Sequence, residues 1–293
     1  MVGTRSLRYF LRFRFAEDSG SRAPGRWRLL HYTMIGMKDK PIGVALGQRW
    51  DVTPAEAREM QECLRAQWKG RDAFRKIRTV AGLDASFILV GSQALKRPAG
   101  RWGRLREANR AIGCVVMYRF PEMEELQRVH AIRPLTFPYV PGLLSFREIP
   151  VLLEALRKLP ELPDLLFCDA HGYAHPRRVG LATHLGILVD RPSIGCAKSI
   201  LIGKHGPLAE LVGSWTPLTD DRAKGEPIGG ALRTRRDTRP IYVSQGHRIS
   251  LETAVALTLE VCDGYRIPRP TRDADHYAGE IKRKVLRGHS SEN

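Results

Sequence analysis

Three carboxylates stand at positions where the sequence predicts ordered structure: Asp84, Glu148 and Asp169. Asp84 is the single acid in an apolar stretch that predicts a strand over residues 78–90, and Asp169 ends a second apolar stretch at 164–169. Glu148 opens a segment whose apolar residues recur at helical spacing. Neighbouring carboxylates repel one another, and a divalent cation relieves that repulsion. With a third acid nearby, a second metal ion can bind, an arrangement that activates water and stabilises the leaving oxygen in phosphodiester cleavage.

Asp84, Glu148 and a nearby aromatic residue, Tyr139, also have simpler interpretations. A lone acid in a strand is common at the end of a sheet, which would account for Asp84. Ser145 and Glu148 have the spacing of a capping box, in which Glu148 would only bind a backbone amide. Tyr139, between two prolines, either is presented by a stiffened loop as a wedge or packs beneath that loop. The hypothesis of a catalytic centre therefore rests on the combination of the three acids.

The order of the predicted elements decides whether the acids can meet. Three strands joined by short connections predict an antiparallel meander, and helix, strand, helix and strand follow. The fold class is therefore α/β, a mixed sheet of meander and parallel strands flanked by helices. If the first and fourth strands are neighbours, Asp84 and Asp169 lie side by side, where open α/β sheets place active sites. The predicted elements are helices at 54–69, 149–159, 178–189 and 250–262, and strands at 78–90, 111–118, 126–132, 164–169, 193–198 and 240–244.

The composition favours an anionic partner. The 293 residues carry a formal charge of +17, and an excess of this size attracts polyanions, so nucleic acid is the expected partner. A surface that is only solubilised by charge needs a smaller excess. The apolar runs are too short for a membrane span, so no membrane association is expected. The five scattered cysteines include no C-x-x-C pair, which favours a reducing compartment, the cytoplasm, over a disulfide framework.

The sequence divides into three parts. Residues 1–40 are predicted to be a disordered basic extension, although a start codon at Met34 or Met37 would explain that segment equally well. Residues 41–272 are predicted to form one catalytic domain, and residues 273–293 a mobile basic tail.

Two further segments are less regular. Residues 201–239 are rich in glycine, proline and charge, and predict a long excursion from the domain. Residues 96–110 form a basic loop that contains Trp102. This loop would either grip phosphates and stack on a base or be a solvated hairpin tip.

Several motifs in chain order resemble those of the endonuclease V family. They span residues 54–271, and the longest, Pro138-Tyr139-Val140-Pro141-Gly142 followed by Ser145-Phe146-Arg147-Glu148, makes the resemblance specific. The others are Gly82-Leu83-Asp84, Asp169-Ala170-His171-Gly172 with His175-Pro176-Arg177-Arg178, Gly195-Cys196-Ala197-Lys198, and Gly246-His247-Arg248-Ile249-Ser250. The resemblance implies a ribonuclease H-like fold.

The resemblance also implies an activity. With Mg²⁺, or Mn²⁺ in its place, the family nicks DNA at the second phosphodiester bond on the 3′ side of deoxyinosine, a deaminated adenine, and leaves 3′-hydroxyl and 5′-phosphate ends. Asp84 and Asp169 would be the principal metal ligands and Glu148 a further one. Lys198 would contact the scissile phosphate, and His247 would orient or activate the attacking water. A monomeric enzyme of DNA repair is expected.

Recognition of the lesion is implied in the same way. Tyr139, in the wedge formed by Pro138, Tyr139, Val140 and Pro141, would fill the gap left by the flipped base. Backbone groups around Gly142, Leu144, Ala170 and Gly172 would line the hypoxanthine pocket, with His175 nearby. This chain has Ala170 where the family usually has glycine, and the added methyl group would narrow the pocket or change the lesion preference.

Two alternatives stay open beside the DNA-repair hypothesis. Some family members cut inosine-containing RNA, and a structured-DNA or inosine-RNA nuclease could use the same fold; an RNA enzyme should depend on the 2′-hydroxyl. The other alternative is a protein that binds inosine-containing nucleic acid without cleaving it. The three carboxylates with Lys198 and His247 argue against the latter, because a protein that only binds gains nothing from acids facing phosphates.

Overall fold

The computed structural model describes residues 48–90, 108–223 and 225–290, and its frame is one nine-stranded sheet within these residues. The strands are β1 Thr79–Ile88, β2 Arg110–Arg119, β3 Glu125–Pro134, β4 Leu165–Cys168, β5 Ser193–Ala197, β6 Lys204–His205, β7 Trp215–Thr219, β8 Pro227–Leu232 and β9 Ile241–His247. The helices are α1 Pro54–Arg65, α2 Ser145–Leu156, α3 Leu181–Val189, α4 Leu251–Glu260 and α5 Arg269–Ser290. Among these described helices, none combines the length and the apolar character needed to cross a membrane. The predicted extension at 1–40 and the loop residues 96–107 lie outside the described residues.

The sheet has the order β3-β2-β1-β4-β5-β9-β8-β7-β6. Strands β1, β2 and β3 form the predicted antiparallel meander, while β1, β4 and β5 run parallel to one another. Strand β9 then pairs antiparallel with β5. The predicted mixed sheet is therefore confirmed. Its first and fourth strands are neighbours, which is the condition under which Asp84 and Asp169 can lie side by side.

Helices cover both faces of the sheet, and β4 contributes side chains to the hydrophobic core on each face. Leu166 and Cys168 point into the core under α2 and α3, whereas Leu165 and Phe167 belong to the core under α4 and α5. All four side chains are fully buried. A strand that is buried on both faces reads as a continuous apolar run, which is the signal that predicted it.

The segment 201–239, predicted as an irregular excursion, instead contributes β6, β7 and β8 to the sheet. Pro217 and the pair Gly229-Gly230 hide the strand pattern, because both residue types are unusual inside strands. Gly229 is required here by packing: a Cβ atom at this position would lie 2.7 Å from the carbonyl oxygen of Val243 in β9. Contacts between distant parts of the chain therefore override the local propensity.

The prediction of a mobile tail at 273–293 is wrong for its described part, which belongs to α5. This helix packs across β1 and β2. Its buried residues Ala274, Ala278 and Ile281 recur at spacings of four and three, a narrow stripe within a highly charged sequence. The narrowness of the stripe, two alanines and one isoleucine, explains why composition alone suggested a solvated tail.

Gly82 sets how closely α5 approaches β1. A Cβ atom on Gly82 would lie 1.8 Å from the carbonyl oxygen of Pro270, at the start of α5. Only a residue without a side chain permits this contact. The helix start is therefore held against the strand two residues before Asp84.

We predict that Gly82→Ala lowers the free energy of unfolding by at least about 3 kcal/mol, because the methyl group must displace backbone and not a flexible side chain. Urea denaturation of the purified variant measures this loss. Gly206→Ala is the control, since the nearest heavy atom to its Cβ would be 3.9 Å away, and its stability should stay within about 0.5 kcal/mol of the parent protein. Equal stabilities of the two variants would contradict the packing described for α5.

Candidate active site

Asp84 and Asp169 lie side by side on the two central parallel strands. Leu83 of β1 is in register with Cys168 of β4, and the backbone N–H of Asp169 donates to the carbonyl oxygen of Leu83 at 3.2 Å. The two acids therefore occupy equivalent positions on neighbouring strands, as the sequence predicted. Asp169 exposes 12% of its side chain.

Glu148 reaches this pair from α2. A Cβ atom on Gly113 of β2 would lie 2.9 Å from the backbone of Val151, so the glycine lets α2 pack directly on the sheet. Glu148 is 8% exposed. Burial raises its pKa well above the ordinary value, Asp84 and Asp169 raise it further, and Arg147 opposes the shift. The structure thus brings together all three acids that the sequence singled out.

The capping box predicted for Ser145 and Glu148 is not formed. Leu144 is the N-cap of α2, and no side chain caps the helix there. The Ser145 hydroxyl instead forms a hydrogen bond of 3.1 Å with Nδ1 of the buried His184. Glu148 is consequently available to the carboxylate cluster.

The cluster holds more negative charge than its surroundings readily accommodate. Burial, followed by the charges of Asp169 and Asp275, raises the pKa of Asp84 to about 8. A carboxyl group with such a pKa is largely protonated at neutral pH unless a cation stabilises its ionised form. The site therefore favours the binding of positive charge.

Lys198, directly after β5, supplies one such charge. Its ammonium group lies 2.5 Å from Oδ2 of Asp169. Burial lowers the pKa of Lys198, but Asp169 outweighs that effect, so the pKa lies above the ordinary value. The lysine side chain is 44% exposed and stands between the acids and solvent.

Asp275 is a fourth acid of the site that the sequence reasoning missed. It lies in the first turns of α5, and its Oδ2 is 3.9 Å from the Lys198 ammonium group. Because residues 273–293 were taken for a tail, their acids were not considered. The signal in the sequence was the spacing of Ala274, Ala278 and Ile281, which are the buried residues of this helix. Asp275 directly follows Ala274, so it lies beside the buried face of the helix.

His247 is not part of the cluster, which contradicts its predicted role at the attacking water. It ends β9, where it is in register with Ser193 at the start of β5, whereas Lys198 follows the other end of β5. Five residues of strand separate these positions, about 17 Å. His247 Nε2 instead lies 3.5 Å from Asp190, and its Nδ1 accepts a bond from the Lys69 amide.

The wedge loop, residues 138–142, is held from both ends. Arg147 donates from Nη1 to the carbonyl oxygen of Phe137 at 2.8 Å. At the other end the Gly142 carbonyl accepts bonds from Arg177 Nη2, His175 Nε2 and Gln61 Nε2 at 2.7, 3.0 and 3.3 Å. Gly142 has φ of +77°, a conformation that glycine adopts without strain.

The residues predicted to form the wedge reach the surface of the protein. Pro138 and Pro141 are exposed, and Tyr139 and Val140 are partly exposed. Leu144, at the start of α2, is partly exposed beside them.

His175 is a support of the loop. Its Nε2 donates to Gly142, and its Nδ1 accepts from the Arg177 amide at 3.3 Å. Burial, with the charge of Arg177, lowers the His175 pKa to about 3, so the ring is neutral at physiological pH. Both ring nitrogens are thus engaged within the protein.

The loop after β4 carries Ala170 and Gly172 and is tightly enclosed. A Cβ on Gly195 of β5 would lie 2.4 Å from the Gly172 nitrogen and 2.6 Å from the Ala170 carbonyl. A Cβ on Gly172 would lie 2.5 Å from the Gln245 carbonyl of β9. The strands thereby fix the backbone of this loop, while Ala170 itself remains partly exposed.

The donor chemistry of the cluster fits a hard divalent cation. Asp84, Asp169 and Glu148 offer only carboxylate oxygens, the ligands that Mg²⁺ and Mn²⁺ prefer. Within the described residues, no three His, Cys, Asp or Glu side chains converge as a ready metal cage; here the Lys198 ammonium neutralises Asp169. Burial, followed by repulsion from Asp169 and Asp275, raises the pKa of Asp84, and a bound cation would favour the ionised form of this carboxyl group.

We predict a distinctive pH dependence of stability in EDTA. The folded-state pKa of Asp84, about 8, lies above its ordinary value of 3.8, so the folded protein binds this proton more tightly than the unfolded chain. Stability from Asp84 is then complete below about pH 4 and is lost as pH rises through 8. Asp84→Asn stays neutral and should unfold about 5 °C higher at pH 8, with no difference near pH 4.

Thermal unfolding followed by circular dichroism measures this effect. Asp221→Asn is the control, since that carboxylate is 89% exposed, and its unfolding curve should follow the parent protein at every pH. Parallel pH profiles for Asp84→Asn and the parent protein would contradict the electrostatics described here.

Comparison with known proteins places this arrangement among endonuclease V proteins. The profile of the family described as Endonuclease V matches residues 58–276. The Endonuclease V of Roseiflexus castenholzii is 48% identical over 231 residues, which cover 79% of this chain and 94% of that protein.

Solved structures give the same result. The crystal structure of Endonuclease V from Streptomyces avermitilis is similar with a TM-score of 0.69 and 35% identity, covering 81% of this chain and 96% of that one. The Ciona intestinalis Endonuclease V, in complex with a 24mer DNA containing an inosine followed by a ribo-adenosine, has a TM-score of 0.63 and 28% identity over 79% of this chain and 98% of its own.

Proposed function

Because the chain belongs to the endonuclease V family and is an endonuclease, we propose that it cleaves the second phosphodiester bond 3′ to deoxyinosine in DNA. The products would be 3′-hydroxyl and 5′-phosphate ends, and the role is the repair of deaminated adenine. The observation that carries this proposal is the meeting of Asp84, Asp169 and Glu148 beside Lys198. The inosine-containing DNA bound by the Ciona relative supports the choice of substrate.

The acids and the lysine have different tasks. Asp84, Asp169 and Glu148 would hold Mg²⁺, for which Mn²⁺ could substitute. When bound, the metal lowers the pKa of the attacking water and polarises the phosphodiester. Asp275 adds negative charge at the edge of the cluster and, through its 3.9 Å contact, helps to orient Lys198. The Lys198 ammonium group, partly exposed, is available to exchange Asp169 for the scissile phosphate and to stabilise its developing charge.

The lesion would be read from the two loops beside the cluster. Tyr139 would fill the gap in the base stack after the inosine is flipped out. The flipped base would then lie against backbone groups of Gly142, Leu144, Ala170 and Gly172. His175 would act indirectly, since its nitrogens already hold Gly142 and Arg177 in place.

The decisive experiment compares end-labelled duplexes with and without one deoxyinosine, in Mg²⁺ and in EDTA, beside an inosine-containing single-stranded RNA. We expect a metal-dependent nick only in the inosine duplex, at the second bond 3′ to the lesion. Asp84→Asn and Asp169→Asn should reduce cleavage at least about 1,000-fold and retain lesion binding in a gel-shift assay. Cleavage of the RNA alone would replace the DNA substrate with RNA, and normal turnover by either variant would refute the metal assignment.

Asp275 and His247 provide a paired test of which residues belong to the site. We predict that Asp275→Asn reduces the cleavage rate about 10- to 100-fold, as expected for a residue that orients the reacting groups. His247→Gln should retain activity within about twofold, because His247 lies at the opposite end of β5. Both rates are measured by single-turnover kinetics well below each variant's unfolding temperature. The reverse ranking would restore His247 to the catalytic centre.

A further inference from the structure

A polar cleft lies at the amino ends of β1, β4 and β5, away from the carboxylate cluster. It is lined by residues 73–77 before β1, Asp164 before β4, the turn at 190–192 before β5, and Arg248 after β9. Its volume is about 200 Å³, several times the share of one water molecule. Six residues of β1 separate Arg78 from Asp84, so this amino-end cleft is about 20 Å from the carboxylate cluster.

The amino-end cleft has an excess of positive charge. Four cations line it, namely Arg75, Lys76, Arg191 and Arg248. Arg248 is neutralised by Asp190 at 2.6 Å. The other cations form no ion pair with any residue in the described ranges, which leaves three charges without an acidic partner there.

The second acid of the cleft, Asp164, keeps its negative charge, so four cations and two acids leave a net excess of two positive charges. Asp164 Oδ2 already accepts the backbone amides of Arg78 and Thr79 at 2.8 and 3.1 Å, so it serves to join β1 to β4.

Arg191 gives an independent sign of a missing ligand. Its Nε atom is buried and, as far as the described residues extend, has no hydrogen-bond partner. Buried donors of this kind are rare in folded proteins because their desolvation is uncompensated. An anion in the adjoining cleft would accept this bond.

The rim of the cleft is rigid. Asp190 and Arg248 both adopt left-handed conformations, with φ of 48° and 54°. Arg248 is further clamped, since its amide donates to Lys69 at 2.7 Å and its Nε donates to Ala73 at 2.7 Å. Strained conformations persist only where surrounding contacts impose them, so the backbone at Asp190 and Arg248 and the Arg248 guanidinium group are held in place before any ligand arrives.

We propose that the amino-end cleft binds a phosphate group at a site separate from the carboxylate cluster. The forked guanidinium groups of arginine, together with a lysine, bind the several oxygens of a phosphate better than they bind an anion with a single acceptor atom. The phosphate comes either from a free phosphate compound or from the backbone of nucleic acid bound elsewhere on the protein. A duplex rises 3.4 Å per base pair, so a backbone contact here would extend the footprint by about five to six base pairs.

Inorganic phosphate is the first probe. The unfolding temperature of the full chain is measured against phosphate concentration, with sodium chloride at matched ionic strength as reference. For Arg191→Gln and for the double variant Arg75→Ala/Lys76→Ala, we expect the phosphate concentration that produces half of the rise in unfolding temperature to increase at least about tenfold. The loss of one charge-assisted hydrogen bond is sufficient for a change of this size. Arg236→Ala, at an exposed position before β9, should behave as the parent protein.

The second arm distinguishes the source of the phosphate. Affinity for a 30-base-pair inosine duplex is measured in EDTA as a function of salt. If the backbone of nucleic acid fills the cleft, the same variants should lower the slope of log affinity against log salt concentration by about one per charge removed. If this slope is unchanged but the response to inorganic phosphate is lost, the site belongs to a free phosphate compound. Arg191→Lys keeps the charge but lacks the Nε–H donor, so it should keep the salt slope of the parent protein and lose part of the phosphate response. Equal unfolding temperatures of Arg191→Gln and the parent protein without phosphate show that the glutamine variant is folded. Parent-like behaviour of all variants in both arms overturns the proposal.

Discussion

The repulsion among buried carboxylates is the constraint on which the rest of the structure depends. Asp84, Asp169 and Glu148 are drawn together from two strands and a helix, although each loses hydration and meets like charge. Such a cluster opposes folding, and only the packing of the surrounding core can hold it. In the proposed function a divalent cation relieves the same repulsion, while the positive charge of Lys198 meets the scissile phosphate.

Close backbone contacts supply that packing. Gly82 admits the start of α5, Gly113 admits α2, and Gly195 admits the loop after β4. At each point a side chain would separate two elements that carry a residue of the site. The glycines therefore determine the distances among the acids, even though none of them takes part in the chemistry.

The two ends of the sheet have opposite electrostatic character. Asp84, midway along β1, and Asp169, directly after β4, place acids in a largely basic protein. At the amino ends of these strands, the cations of the amino-end cleft outnumber the acids. A nucleic acid approaching this protein therefore meets attraction over much of the surface and a metal-requiring centre at one place. In the functions proposed for the two sites, this arrangement separates the binding of phosphates from the cleavage of one of them.

The wedge loop illustrates a third physical feature, in which several hydrogen-bond donors converge on one backbone carbonyl group. Three donors converge on Gly142 and join the wedge loop to α1 and to the segment after β4. The neutral state of His175 follows from this role, since Nε2 must donate while Nδ1 accepts. The base pocket proposed at these backbone groups would need such a scaffold, because backbone positions cannot adjust by changing rotamers.

The sequence by itself determined the α/β class and the meander, because these depend on local periodicity and on the order of the elements along the chain. It allowed Asp84 and Asp169 to meet, but the adjacency of β1 and β4 that pairs them is a tertiary contact. It also indicated Glu148 and Lys198 through their motifs. Only the tertiary structure decided the places of Asp275 and His247. Asp275 lies 191 residues beyond Asp84 in the chain, and a narrow alanine stripe brings it back to the site. His247 is taken away from it by the direction of β9, which runs antiparallel to β5, and no local pattern in the sequence records the direction in which a strand joins its neighbour.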